Sequence, residues 1–431
     1  MPKYTQYKEP FVDKAIQKQI DLGVSEMSQL PGVISIMLIG GFGRAEGSVR
    51  IEKEKVTPVN DYDLYIITQK QIKEEILNTL AKKIEKKLGS KGCYSLYEHS
   101  EKDFYFDIHA IPIKQLKKLP NLIKYYEIKH SSLVIYGKDV RNQMPKYSTD
   151  KIPHSDSLRF LLNRLTHITE WFMINYLTGK PVKPEERETL IYDTSKAYMA
   201  MATALTVYAK HYKPTYLGRL KEIKAVFTKE FPELNKKHPD LLEKIEFFTN
   251  LKLDPRKFSE VKDPVEMWFK AREHMLSVLD FYLKNAFQIN SLEQFSKQGS
   301  SKYLESFMPD LYRKKLGLEL SKEQLNFANF FLQRYLNFLY FKRILKVRKK
   351  FFPKLLFYNK EAGMTIFATV PFLVKSLNKN KTINKKYLKR TIEELKKVYP
   401  FKTPELTLEG YDELRKTYIN AWMLYYFQKL I

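Results

Sequence analysis

Up to about residue 140 the chain switches between short apolar runs and longer stretches of helical spacing. Phe11–Leu30 carries apolar residues at helical intervals and stops at Pro31–Gly32, which predicts a helix. The β-branched run Val33–Ile39 predicts a buried strand, and Leu64–Thr68 predicts a second. Ile72–Leu88 returns to helical spacing, with Ile72, Ile76, Leu80 and Ile84 as its apolar stripe. Cys93–Tyr97 and Phe104–Ile111 predict two more strands, and Leu133–Tyr136 leads into Gly137. Alternation in Asp103–Ile111 puts Phe104, Phe106, Ile108 and Ala110 on one face, and Asp103, Tyr105, Asp107 and His109 on the other. Strands interrupted by helices predict a layered α/β or α+β domain.

From about Leu158 onward helical patterns dominate: Leu158–Leu177, Ser195–Tyr212, Val265–Phe287 and Lys322–Val347. The third follows a proline directly, a common helix opening. Tyr198–Leu205 is apolar nearly all round, with Ala200, Ala202 and Ala204 allowing close approach, so it predicts a central helix packed on several sides. The polar stretch Ser291–Ser301, with Gly299, predicts a linker. The expected fold class is α+β, with an N-terminal domain on a mixed sheet and a mostly α-helical C-terminal region.

Composition narrows the classes. With 44% hydrophobic residues over 431 positions, the chain can bury a substantial core. Its one cysteine, Cys93, excludes an internal disulfide and a cysteine-rich metal site, and fits a reducing compartment. The polar N-terminus lacks the apolar core of a signal peptide. No apolar run reaches the length of a membrane span, and the nearest, Gly363–Val374, is short and contains Pro371. A soluble, cytoplasmic protein without a membrane partner is expected. The net charge is +26, and residues 341–390 hold fifteen Lys or Arg against one acid, Glu361. Two readings of that segment stand: solvated helix faces, or a surface for a polyanion such as RNA.

The chemistry is concentrated in Leu38–Ser48 and Val59–Ile67. An apolar strand runs into Gly40–Gly41 and then into a segment able to open a helix. Glycines let a backbone approach phosphate, and a helix start offers N–H donors. Arg44 is placed either to add a charged donor to the same phosphates or to pair with Glu46 or Glu52. Neither the Walker pattern nor the dinucleotide fingerprint fits. Asp61 and Asp63, two apart at the head of an apolar run, point to one face of a strand and can hold Mg²⁺. Asp107, on the polar face of its own strand, is the candidate third carboxylate, since an unpartnered carboxylate among apolar neighbours is costly.

Gly40–Gly41, then Asp61-Tyr62-Asp63, then Asp107 resembles the DNA polymerase β-like nucleotidyltransferase superfamily. Gly41-Phe42-Gly43-Arg44-Ala45-Glu46-Gly47 is similar to the Gly-Arg-x-Glu variant of its glycine motif, and Leu133–Gly137 to the segment that often closes the minimal domain. The resemblance covers residues 30–140. It implies that Asp61, Asp63 and Asp107 bind Mg²⁺ or Mn²⁺, that Asp107 also helps deprotonate an acceptor hydroxyl, and that Gly40 and Gly41 hold the triphosphate of an NTP. The implied reaction moves an NMP from the NTP to an RNA end, a protein side chain or a small molecule, with release of pyrophosphate. Two departures stand out: nineteen residues, Phe42–Asn60, separate Gly41 from Asp61, and a glycine replaces the usual serine. The charged insert Arg50–Lys55 reads as a solvated loop.

The expected division is a catalytic domain at 1–150, a helical domain at 151–290 and a basic helical domain at 291–431. A catalytic cleft is expected between the sheet and the first helical domain, with Arg159, Arg164 and Lys196 as further phosphate contacts. His109 shares the face of Asp107 and reads as a satisfied polar residue or a site neighbour. His167 near Arg164 does not match the spacing of a ribonuclease-type helical motif. Arg343–Phe352 interleaves bases with apolar residues and reads as an RNA-gripping helix or as one with wet lysines. The alternative from a different class is a binding or scaffold protein that keeps the fold without turnover.

Overall fold

The structure, a computed structural model, describes residues 2–59, 61–92, 103–299, 320–348 and 353–427. The expected strand Cys93–Tyr97, and residues 349–352 of the basic stretch, lie outside them. The chain divides into two compact units. The first comprises 1–152 together with 209–226 and 243–260, and the second comprises 153–208, 227–242 and 261–431. Both strands and helices are present, so the class is mixed α+β with a small mixed sheet.

The first unit is built on a four-stranded sheet of order Phe106–Pro112, Tyr62–Thr68, Val33–Leu38, Leu133–Gly137. Its strands are β1 (Val33–Leu38), β4 (Tyr62–Thr68), β5 (Phe106–Pro112) and β6 (Leu133–Gly137). Strand β1 pairs antiparallel with β4 and β6, while β4 and β5 are parallel, with Asp63 opposite Asp107. Alternation sorts the side chains: Ile36, Leu38, Tyr62, Leu64, Ile66, Phe106 and Ile108 enter one core, and Met37, Tyr65, Ile67 and Ile111 enter a smaller core on the other face.

The insert Arg50–Lys55 is not a loop but most of a hairpin, β2 (Val49–Glu52) paired with β3 (Lys55–Pro58). Lys53 and Glu54 both adopt positive φ at its turn, the geometry of a two-residue hairpin connection. Its charges hide an alternation that sends Val49 and Val56 into the larger core, with Ile51 packed against it. The helix after β4, Glu74–Lys87, buries Leu77, Leu80, Ala81 and Ile84, whereas Ile76 is 48% exposed. Spacings of three and four about Leu80 make a broader buried face than a strict four-residue row. Of Ser291–Ser301, residues 292–299 are helical and Phe295 is buried, so that part is no open linker.

The second unit is helical among its described residues. The pattern Leu158–Leu177 is split between two helices, His154–Trp171 and the short Asn175–Thr178, because Phe172 leaves helical geometry and stacks on Trp268, ring centroids 4.0 Å apart. The central helix runs Pro184–Tyr208 and is buried almost continuously from Thr189 to Val207. Each fully buried Leu, Ile or Met there contributes roughly 1.5–3 kcal/mol. Pro264–Phe287 opens on Asp263, whose carboxylate accepts the N–H groups of Val265 and Glu266. The apolar segment at 363–374 lies in the helix Ala362–Lys375, Pro371 included. No helix among the described residues is long and apolar enough to cross a membrane.

Candidate metal centre

Parallel pairing in register sets the site. Asp63 and Asp107 stand opposite each other on β4 and β5 and share the face that carries Tyr65 and Ile111. Asp61 lies two residues before Asp63 and accepts a hydrogen bond from the Tyr105 hydroxyl at 3.1 Å. One carboxylate oxygen from each of Asp61, Asp63 and Asp107 lies within 4.8 Å of the other two. Burial, then the charges of Asp61 and Asp107, push the Asp63 carboxyl well above the usual range, against the opposing pull of Arg44 and Lys124. Three oxygen donors crowded in this way suit a hard divalent cation, which would relieve their repulsion.

Gly40 answers to the same carboxylate. It adopts φ +63°, and a Cβ there would fall 1.9 Å from Asp63 Oδ2. The Ile39 N–H also donates to the Asp63 carbonyl at 2.9 Å, tying the turn to β4. At Gly41 a Cβ would meet the Glu46 carbonyl at 3.1 Å and Lys252 Nζ at 3.3 Å. The helix opened by the glycines is a single turn, Gly40–Gly43.

Arg44 and Glu46 lie inward. Arg44 is 9% exposed, with Nη1 2.7 Å from Glu127 and Nε 3.4 Å from Glu46, and its guanidinium sits 4.6 Å from the Tyr216 ring centre. Burial opposes its charge, but Glu127, Tyr216 and Glu46 outweigh that and raise its pKa, so it stays cationic. The Glu46 carboxylate accepts the N–H groups of Tyr216 and Leu217 at 2.8 and 2.9 Å, at the start of the helix Tyr216–Glu230. Glu127 also accepts from Arg219 and from the Tyr212 hydroxyl. Burial raises its pKa, but Arg44 and Arg219 overcome this and hold it below the ordinary value. Lys252 Nζ donates to the Glu46 carbonyl at 2.6 Å. Of the two readings of Arg44, the geometry displays the pairing with Glu46.

His109 Nε2 lies 3.3 Å from Asp107 Oδ2, and its ring packs on Tyr65 at 5.2 Å. Lys124 Nζ also lies over the Tyr65 ring, 4.8 Å from its centre. Sequence reading missed Tyr105, Lys124, Glu127, Tyr212, Tyr216, Arg219 and Lys252 as neighbours of the site. Only Tyr105 carried a signal, its place beside Asp107 on the polar face of the alternating stretch Asp103–Ile111.

Arg159 and Arg164 lie on the helix His154–Trp171, and Lys196 on Pro184–Tyr208, all in the second unit. Arg159 pairs with Asp156 at 3.0 Å, and Lys196 lies over the Tyr192 ring. His167 packs edge-on against Trp422 and lies 3.4 Å from Glu170. In the basic segment 341–390, Arg343 donates to the Tyr425 carbonyl and Arg390 pairs with Glu394, while Lys342, Lys346, Lys385, Lys386 and Lys389 are exposed. No protein-family model, no curated protein and no solved structure matches the chain.

Proposed function

We propose that this protein is a metal-dependent nucleotidyltransferase of the DNA polymerase β-like kind, moving an NMP from an NTP to an acceptor hydroxyl with cleavage of the α–β phosphoanhydride bond and release of pyrophosphate. The observation that carries the reading is the convergence of Asp61, Asp63 and Asp107 within 4.8 Å beside Gly40. In this reading Asp61, Asp63 and Asp107 would hold Mg²⁺ or Mn²⁺, and Asp107 would accept the proton of the attacking hydroxyl. Bound there, the divalent ions supply charge stabilisation to the attacking and leaving oxygens of an in-line displacement. Gly40 and Gly41 bring the backbone to the triphosphate, where the first-turn N–H groups have no intrahelical acceptors. Arg44 acts from behind, holding the turn through Glu127 and Glu46 and adding positive potential near Asp63.

Three acceptor classes fit: an RNA end, a protein side chain or a small molecule. The exposed lysines of 341–390 favour RNA. The test is incubation with NTPs labelled at the α-phosphate and bulk tRNA. Wild type is expected to label the RNA and Asp63→Asn is not. Equal labelling by the variant removes Asp63 from the reaction, and no affinity for Mg²⁺·NTP in calorimetry leaves a binding protein instead.

A further inference from the structure

The helix Lys322–Arg348 presents five exposed rings on one face: Phe327 (67%), Phe330 (44%), Phe331 (53%), Tyr335 (59%) and Phe338 (41%). Steps of three and four residues align them as one stripe. The helix is not exposed for want of packing. Its opposite side buries Tyr340 and Ile344, and the Asn337 amide donates to the carbonyls of Tyr358 and Lys360 at 3.3 and 2.7 Å while accepting the Ala362 N–H. Large exposed apolar stripes mark binding surfaces.

Charge indicates the partner. Within Lys322–Arg348 six Lys or Arg face one acid, Glu323, and no further Asp or Glu occurs until Glu361. Arg334, whose Nη1 donates to the Leu356 carbonyl, lies 4.4 Å from the Phe330 ring centre, and the exposed Lys342 lies 4.6 Å from that of Phe338, so a cation stands beside each of these two rings. It runs on into the exposed Lys342 and Lys346. A second copy of a chain with net charge +26 would bring like charge to this face. A partner that is both polyanionic and rich in flat rings suits it. Phe327, Phe331 and Tyr335 recur about every 6 Å along the helix axis, a ladder rather than one pocket.

We infer that this helix face binds single-stranded nucleic acid, the rings stacking on bases and the bordering cations contacting phosphates. The surface is independent of the carboxylate site, and its test needs no turnover. Fluorescence anisotropy with labelled oligouridylate and oligodeoxythymidylate should show binding by wild type that weakens steeply between roughly 50 and 200 mM salt. Truncating two rings together, Phe331→Ala with Tyr335→Ala, should weaken it about tenfold or more, since each lost stack costs on the order of that factor. Phe331→Trp should retain it, which separates lost stacking from lost folding. Heparin, a polyanion without bases, should bind wild type and the ring variant alike. Absence of oligonucleotide binding, unchanged affinity in the ring variant, equal ring dependence for heparin, or a wild-type dimer that the ring variant dissociates would each overturn the assignment.

Discussion

Replacing Asp63 by asparagine should stabilise the metal-free protein and abolish its response to Mg²⁺. Carboxylate oxygens of Asp61, Asp63 and Asp107 lie within 4.8 Å of one another. At that separation an ionised pair repels by about 3.5 kcal/mol at an effective dielectric near 20, and by about 0.9 kcal/mol in bulk water. The Asp107 side chain is 44% exposed, so solvent screening places the cost toward the lower end, about 1 kcal/mol per pair. Asp63 takes part in two pairs, which gives about 2 kcal/mol relieved by Asp63→Asn where all three carboxylates are ionised, a rise of a few degrees in melting temperature. The sign of the pH dependence follows from the raised Asp63 pKa, caused first by burial and then by its two neighbours. The protonated form's stability is fully present below the ordinary aspartate value near 3.9 and is lost as pH rises through the raised value. Metal-free wild type should therefore melt lower as pH rises through that raised value, and the asparagine variant should lack that decline. Mg²⁺ at ten times its Kd should return about 1.4 kcal/mol to wild type at neutral pH. Melting curves in chelator and in Mg²⁺, across pH, measure all three. A variant that melts below wild type in chelator, or gains as much from Mg²⁺, refutes the crowding argument.

Gly40→Ala should cost about 1–2 kcal/mol for its left-handed backbone and, by displacing the Asp63 carboxylate, remove the Mg²⁺ thermal shift. Gly41→Ala meets its neighbours at 3.1 and 3.3 Å and should keep that shift, so a reversed order in the two melting series would contradict the assigned roles. Glu127→Gln leaves Arg44 and Arg219 without their shared carboxylate and should cost about 3–5 kcal/mol in urea denaturation. An unchanged midpoint would show that the buried network does not hold the glycine turn.

The carboxylates were legible because two apolar runs carry their acids at alternate positions, which fixes the face before any pairing is known. The in-register pairing of Asp63 with Asp107 was not, since register depends on how residues 69–105 return the chain to the sheet. Gly40 reads from sequence as a phosphate cradle, but that a Cβ there would fall on the Asp63 carboxylate depends on the fold and has no sequence signal. Arg44 and Glu46 could be seen as a possible pair, yet their principal partners Glu127 and Tyr216 stand 83 and 170 residues further on. Nothing local signals contacts of that range. The hairpin at 49–58 was hidden for the opposite reason, its turn charges masking the inward Val49 and Val56. Helical periodicity in 322–348 likewise predicts a helix without saying which of its aromatic residues stay in water.

Asp61, Asp63 and Asp107 are proposed to share divalent cations with a bound nucleotide. Crystals grown with Mn²⁺ and a non-hydrolysable NTP, measured for anomalous scattering, test it most directly. The expected result is a manganese peak within coordination distance of all three carboxylates, with the triphosphate against Gly40–Gly41. A nucleotide and its metal bound elsewhere, with these carboxylates bare, would contradict it.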